Sequence, residues 1–138
     1  MSKTANIIRE VVREGTSIVS PIQAKKIGEN IYDVGEIISG YPILKGLSAK
    51  ITVRYGELLN EDGTLCEENV YNQHTTYING ENRMLYPRFT WLCFRYFEVI
   101  GEAEVTECDV IHSDVAVTSE FECDVEVLNW LAKAYVRT

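Results

Sequence analysis

Basic residues are scarce in this chain of 138 residues. It carries 13 lysines and arginines against 21 acidic residues, so its formal net charge is −8. A nucleic-acid-binding protein needs a basic surface to displace counterions from phosphates, and docking on anionic lipid also needs clustered lysine and arginine. The charge balance therefore argues against a nucleic-acid partner and against a membrane partner.

Long apolar segments are also missing. No apolar run approaches the roughly 20 residues that a membrane-spanning helix needs. The N-terminal sequence MSKTANIIREVVREG has no hydrophobic region of the kind found in secretory signals. We therefore expect a soluble chain located in the cytoplasm. An extracellular location is the alternative if the chain is a piece of a longer protein whose signal precedes it.

Cysteine and histidine are too few and too dispersed to indicate a disulfide scaffold or a metal centre. The four cysteines form no C-x-x-C pair, and the two histidines, His74 and His112, do not have the spacing of metal ligands. We expect free thiols, some of them packed as small hydrophobic side chains. No metal ion and no cofactor is indicated.

Motifs of nucleophilic catalysis and phosphate binding are not found either. The chain has no G-x-S-x-G elbow and no glycine-rich phosphate loop. His112 and Ser113 are neighbours, but consecutive strand residues point to opposite faces and cannot form a proton relay. The acidic stretch GELLNEDGTLCEEN could offer oxygen ligands to calcium. Its spacing is not that of an EF-hand, so we interpret it as a solvated hairpin.

What the chain does contain is a series of short β-strand patterns separated by turn residues. KITVRYGEL alternates, with Ile51, Val53 and Tyr55 on one face. Asp62-Gly63 and Asn79-Gly80 are typical turn pairs. The remaining strand patterns are IIREVV, TSIVSPI, NIYDVG, ISGYPILKG, VYNQHTTYI, RMLYPRFT, CFRYFEVIG and AEVTECDVIHSDVAV. This organisation predicts an all-β antiparallel sandwich or barrel rather than a βαβ fold.

Aromatic residues are concentrated in the stretch YPRFTWLCFRYFEV. Strand alternation would place Phe94 and Tyr96 on one face and Phe97 on the other. Aromatic residues on both faces favour a strand that is covered on both sides over an exposed platform on which a ligand stacks. Trp91 is the exception, because it precedes the strand and can reach the rim of the domain.

The C-terminal segment DVEVLNWLAKAYVRT changes to helical spacing. Val127, Leu128, Leu131 and Tyr135 would share one face of an amphipathic helix, and Asp124 is the expected N-cap residue. The sequence therefore predicts a β-sandwich domain over residues 1–123 and a C-terminal α-helix over residues 124–138.

Four segments between about residues 32 and 138 resemble the bacterial α-L-rhamnosidases, in the same order and with similar gaps. IYDVGEIISGYPILKG is similar to the D-F-G-Q-N-x-x-G-W segment of that family, and KITVRYGELLNEDGTLCEENV to its R-x-x-E-x-L-x-x-D-G-x-L run. YPRFTWLCFRYFEVIG is similar to its Y-x-P-x-F-T-x-x-G-F-R-Y-x-x-V-x-G strand pair. SEFECDVEVLNWLAKAYVRT resembles the stretch that leads into its helical domain.

The resemblance implies a concanavalin-like, jelly-roll β-sandwich that precedes a catalytic (α/α)6 barrel. The chain departs from the family pattern at several positions. Glu36 and Ile37 stand where the family has Gln-Asn, Tyr41 where it often has Trp, and Cys93 where it has Gly. A ligand or interdomain contact at these positions is not carried over.

The same resemblance implies that the general acid and base are glutamates of the barrel, so no catalytic residue is carried over to this chain. We expect a non-catalytic domain without hydrolase activity. Its expected partner is the catalytic helical domain of a rhamnosidase, in cis. The alternative partner is a second copy bound through the C-terminal helix, and we expect at least partial dimerisation.

A carbohydrate-binding module is the alternative function. Its ligand would be L-rhamnose or a rhamnose-containing glycan, with Trp91 stacking on the sugar and Tyr71, Asn72 and Gln73 bonding its hydroxyl groups. We favour the simpler interpretation, in which these four are strand and rim residues of a structural domain.

Overall fold

The computed structural model describes residues 16–66, 73–113 and 118–137. In these residues the strands pair antiparallel in the order β1-β8-β3-β7-β4-β5, with β2 and β6 also paired to β3. The expected all-β class with a C-terminal helix is confirmed. The predicted strand IIREVV lies outside the described residues. The elements are β1 Thr16–Ile22, β2 Lys25–Lys26, β3 Ile31–Gly46, β4 Lys50–Gly56, β5 His74–Ile78, β6 Met84–Leu85, β7 Leu92–Ile100, β8 Ala103–Ser113 and α1 Glu126–Arg137.

Strand β4 follows the period of two that its sequence predicts. Ile51, Val53 and Tyr55 are buried in the core, while Arg54 lies on the other face. On that face the Arg54 guanidinium donates to the Glu98 carboxylate of β7 at 3.0 Å. The predicted alternation is therefore confirmed, and β4 forms the centre of one half of the sheet.

The long strand β3 joins the two halves of the fold. Its residues 31–40 pair with β7, and its residues 40–46 pair with β8. The changeover occurs at Gly40, where a Cβ atom would lie 1.9 Å from the Asp109 carbonyl oxygen. The buried cluster takes Val53 from one half and Leu44 and Cys108 from the other, so both halves cover one core. A strand that switches layers in this way is how a β-sandwich turns its corner.

β3 also differs from its sequence interpretation, which divided it into NIYDVG and ISGYPILKG. The two segments are one strand that carries a bulge. Asp33 pairs with Tyr96 and Ile38 pairs with Phe94, so five steps along β3 match two along β7. The extra residues protrude from the ladder, and Gly35 adopts a φ of 93° that favours glycine.

Two of the three aromatic residues of β7 lie inside the sandwich, as the strand interpretation predicted, while Tyr96 is only partly buried. Phe94 and Phe97 are both fully buried, and their ring centroids lie 5.8 Å apart in an edge-to-face arrangement. Their expected placement on opposite faces is wrong, because both rings enter the same core. The bulge of β3 lies opposite this part of β7, and it interrupts the regular pleat that alternation assumes.

The two predicted turns are present. At the first, Gly63 has a φ of 82° and the Asn60 amide donates to the Thr64 carbonyl at 2.8 Å. At the second, Asn79 has a φ of 57° and the Gly80 amide donates to the Ala49 carbonyl at 3.1 Å. Both pairs supply backbone in the left-handed region, as asparagine and glycine do most readily.

Helix α1 begins at Glu126, one residue later than an N-cap at Asp124 would place it. The Val125 carbonyl accepts from the Leu128 and Asn129 amides, so Val125 occupies the N-cap position and the assignment of Asp124 is wrong. The Asn129 side chain instead closes the connection before the helix. Its Oδ1 accepts from the Cys123 amide at 2.9 Å, and its Nδ2 donates to the Cys123 carbonyl at 2.7 Å.

Candidate functional site

A charged pair fixes the bulge of β3 against β7. Arg95 donates from Nε to Oδ1 of Asp33 at 3.0 Å and from Nη2 to Oδ2 at 3.1 Å. The Gly35 amide donates to the same Oδ1 at 2.7 Å. The hydrogen bond from Arg95 lowers the pKa of Asp33, and burial offsets part of that effect. The carboxylate is therefore a structural anchor, and the bulge that it holds presents the Ile37 side chain to solvent.

The segment between β6 and β7 forms an aromatic rim of Tyr86, Phe89 and Trp91. Phe89 is 97% exposed and Trp91 is 51% exposed, while Tyr86 stacks on Tyr41 at 6.3 Å between ring centroids. Large apolar side chains held at the surface commonly mark a contact surface. The buried rings of β7 and these exposed rings come from one stretch of sequence. Only the position relative to the strand separates the two groups.

The structure places two of the four residues predicted to contact sugar. Trp91 is at the rim, whereas Gln73 is half-buried beside β4, where its carbonyl accepts from the Tyr55 amide at 3.1 Å. Tyr55 pairs with Phe97, which is six residues from Trp91, so Gln73 and Trp91 are separated by about 20 Å along the strands. The structure does not bring these two residues together. Tyr71 and Asn72 lie outside the described residues.

In the acidic hairpin, the carboxylate of Asp62 accepts hydrogen bonds from within the turn. Asp62 accepts from the Thr64 hydroxyl at 2.6 Å and from the Thr64 amide at 3.0 Å. These hydrogen bonds from Thr64 lower the pKa of Asp62. In residues 16–66, 73–113 and 118–137, no three histidine, cysteine or acidic side chains converge as metal ligands. The described part of the hairpin is therefore a hydrogen-bonded turn.

One face of α1 is apolar and open to solvent. We call Val127, Trp130 and Leu131 the helix face, because they recur at the spacing of one side of an α-helix. All three side chains are exposed, and Trp130 is 65% exposed. A helix of 12 residues is marginal in isolation. Cover over this face would therefore stabilise α1.

A cleft opens between the edge strands β5 and β6. It has a volume of about 390 Å³, within the range of small-ligand sites. Tyr77 contributes to its wall, and the buried Tyr77 hydroxyl has no hydrogen-bond partner among the described residues. Burial raises the pKa of Tyr77. The cleft is lined by Thr76, Tyr77, Ile78, Asn79, Arg83, Met84, Leu85, Tyr86 and Arg88.

Comparison with protein families identifies one match. The family model for the bacterial alpha-L-rhamnosidase concanavalin-like domain matches residues 23–117. A search of curated proteins found no match. No helix of the described residues is long and apolar enough to cross a membrane.

Solved structures show the same likeness. The α-L-rhamnosidase of Streptomyces avermitilis, solved in complex with L-rhamnose, is 27% identical with a TM-score of 0.73, over 88% of this chain and 14% of that chain. The α-L-rhamnosidase of Dictyoglumus thermophilum is 28% identical with a TM-score of 0.74, over 88% of this chain and 16% of that chain. The α-L-rhamnosidase of Aspergillus terreus shares the fold. It is 18% identical with a TM-score of 0.68, over 88% of this chain and 16% of that chain. The chain thus spans about one seventh of the length of these enzymes.

Proposed function

The chain belongs to the bacterial α-L-rhamnosidase concanavalin-like domain family, and from this membership we propose that it is a non-catalytic support domain for a catalytic helical domain. The matched region is a β-sandwich, and the similarity covers only 14–16% of the full-length enzymes. The observation that carries the proposal is the open helix face of α1. A support domain needs such a surface, and this one immediately follows the matched sandwich.

The proposed contact between the helix face and the catalytic helical domain is apolar. Trp130 and Leu131 project from adjacent positions of the helix face, and both are more than half exposed. Burying two side chains of this size stabilises an interface by about 1.5–3 kcal/mol each. The natural cover is another helix, since helices pack by interdigitating side chains at this spacing. In the isolated chain, a second copy can take the place of the helical domain.

The charge pattern of α1 is compatible with a second copy of the chain covering the helix face. Glu126 lies in the first turn and Lys133 in the second half of the helix. Two copies of α1 packed antiparallel would place Glu126 of each near Lys133 of the other. This arrangement adds weak electrostatic complementarity to the apolar contact.

Sedimentation velocity over a range of protein concentrations tests the docking surface. We expect the wild-type chain to shift from monomer towards dimer as its concentration rises. The double variant Trp130→Ser, Leu131→Ser should stay monomeric, whereas Ile100→Ser, which changes an exposed apolar residue of β7, should behave as the wild type. A wild-type chain that remains monomeric at every concentration would contradict the claim that the helix face is a docking surface.

The non-catalytic character is tested separately. We expect the purified chain to leave an aryl α-L-rhamnoside unhydrolysed, with a full-length α-L-rhamnosidase as the positive control. Hydrolysis that follows the purified chain through successive chromatographic steps would overturn this part of the proposal.

A carbohydrate-binding module is the second candidate function, and the exposure of Trp91 favours it. An exposed indole at a domain rim can stack on the apolar face of a sugar ring. Calorimetric titration with L-rhamnose tests this function, with and without calcium. Saturable heat that is lost in Trp91→Ala but kept in Phe89→Ala would support it, and no heat at millimolar sugar would leave the support role.

A further inference from the structure

The cleft between β5 and β6 contains two arginines whose guanidinium groups form no ion pair with the described residues. Arg83 and Arg88 both line it, and neither forms an ion pair within the described part of the chain. Elsewhere the arginines of the sheet are paired, Arg54 with Glu98 and Arg95 with Asp33. In a chain with a net charge of −8, two guanidinium groups in one cleft without an acidic partner among the described residues are a local reversal of sign.

The backbone that carries Arg83 is fixed at both sides of the residue. The Arg83 carbonyl accepts from the Gly46 amide at 2.9 Å, and the Arg83 amide donates to the Gly80 carbonyl at 3.2 Å. The Asn82 amide donates back to the Gly46 carbonyl at 2.9 Å. Because this backbone is already ordered, binding a ligand at Arg83 does not carry the additional entropic cost of ordering a loop.

An aromatic surface stands beside the two cations. The Tyr86 ring lines the cleft and is partly exposed. Its other neighbour is Tyr41, whose ring lies within 22° of parallel at 6.3 Å between centroids. Tyr41 therefore fixes the orientation of Tyr86, which presents an apolar face to anything that enters the cleft.

We propose that this cleft binds an anionic sugar, with Arg83 and Arg88 holding its carboxylate or phosphate group and Tyr86 packing on its ring. Guanidinium groups match the planar oxygen pairs of carboxylates and the oxygens of phosphates, and charge-assisted hydrogen bonds are the strongest that side chains form. Aromatic rings bind the apolar faces of sugar rings. Asn79 and Thr76 also line the wall, and the Thr76 hydroxyl is hydrogen-bonded to the Thr52 hydroxyl at 3.0 Å.

This site does not depend on the support role of the domain. It lies between β5 and β6, whereas the support role rests on the helix face of α1. Binding in the cleft and association through α1 can therefore succeed or fail separately.

Calorimetric titration at low ionic strength with three probes tests the proposal. D-Glucuronate carries a carboxylate, glucose 6-phosphate carries a phosphate, and D-glucose is the neutral control. We expect saturable binding of at least one anionic sugar and at least about tenfold weaker binding of glucose. Preference between glucuronate and glucose 6-phosphate identifies which oxyanion the cleft accepts. Because exposed charges are screened by salt, the affinity should fall as sodium chloride is added.

Matched variants locate the binding. Arg83→Gln and Arg88→Gln should each weaken the anionic sugar about tenfold or more, since each removes a charged hydrogen-bond donor. Lys25→Gln removes the same charge from the exposed strand β2, which pairs with β3 at its opposite end, and should leave the affinity unchanged. Absence of binding by both anionic sugars would overturn the proposal. So would binding that survives both arginine substitutions unchanged.

Discussion

Arg95 and Asp33 lie 62 residues apart in the chain and are joined by two parallel hydrogen bonds of 3.0 and 3.1 Å. The pair connects β7 to the first residue of the β3 bulge. The Gly35 amide shares the same carboxylate, so one acidic side chain fixes both the register of two strands and the shape of the bulge between them.

Replacing Asp33 with Asn should lower the free energy of unfolding by about 1 kcal/mol at pH 7, because both partners are partly exposed and solvent screens the charge. Urea denaturation measures this value. Glu104→Gln is the control, since its pair with Lys45 at 3.5 Å is more exposed and should contribute less than about 0.5 kcal/mol. Equal losses in the two variants would show that the Asp33 pair has no special role.

The contribution of Asp33 should depend on pH in one direction. Its pKa is lower in the folded chain than its ordinary value, chiefly through the hydrogen bond from Arg95. Such a group stabilises the fold above its unfolded pKa, and the contribution is lost as the pH falls through the folded pKa. The stability difference between wild type and Asp33→Asn should stay constant from pH 7 to about 5 and shrink below about pH 4. A difference that grows on acidification would contradict the assignment.

The corner of the sandwich should tolerate no side chain at Gly40. An added Cβ would lie 1.9 Å from the Asp109 carbonyl oxygen, and both atoms belong to paired backbone that cannot move apart without breaking the ladder. We expect Gly40→Ala to cost about 3 kcal/mol or more. Gly28→Ala is the matched control, because its nearest neighbour would be the Ile31 Cβ at 3.6 Å. Thermal unfolding of the two variants should separate them clearly, and similar midpoints would show that the corner can relax.

The aromatic stretch should divide into stabilising and surface residues. Phe97→Ala removes a fully buried ring that stacks on Tyr32 at 5.0 Å, and it should cost about 3–5 kcal/mol. Phe89→Ala removes a ring that is 97% exposed, and it should leave the free energy of unfolding within about 0.5 kcal/mol. Chemical denaturation tests both. A large loss in Phe89→Ala would place that ring in the core.

The sequence alone predicted the elements whose structure is decided by neighbouring residues, namely the buried face of β4 and two turns. The alternation of Ile51, Val53 and Tyr55 predicted the buried face of β4, and the pairs Asp62-Gly63 and Asn79-Gly80 predicted turns that need left-handed backbone. Solvent on one side and core on the other impose the period of a strand directly on its residues.

The remaining features depend on contacts between distant residues. Arg95 of another strand binds Asp33 at the bulge, and no spacing rule connects the two positions. The same bulge brings Phe94 and Phe97 into one core, which alternation would separate. At α1, the Asn129 side chain closes the helix start, so Asp124 is displaced from the position that its residue type favours.

The candidate site was predictable only in part. The place of Trp91 before the strand indicated only that it can reach the rim, and nothing in the sequence indicated the cleft with Arg83 and Arg88. Those arginines flank β6, and the cleft forms only because the end of β5, distant from them in pairing, supplies its other wall. In the sequence, the signal for the cleft is only two arginines within six consecutive residues of a chain that is acidic overall. Such a pair is equally typical of a solvated surface.

Tryptophan fluorescence of the variant Trp91→Phe tests the support role most directly, because Trp130 is then the only indole and reports on the helix face itself. The account predicts an exposed, red-shifted emission at high dilution that moves to the blue as protein concentration rises and the helix face becomes covered. The reciprocal variant Trp130→Phe should show no such shift. An emission from Trp130 that stays unchanged over the whole concentration range would contradict the claim that this face of α1 is a contact surface.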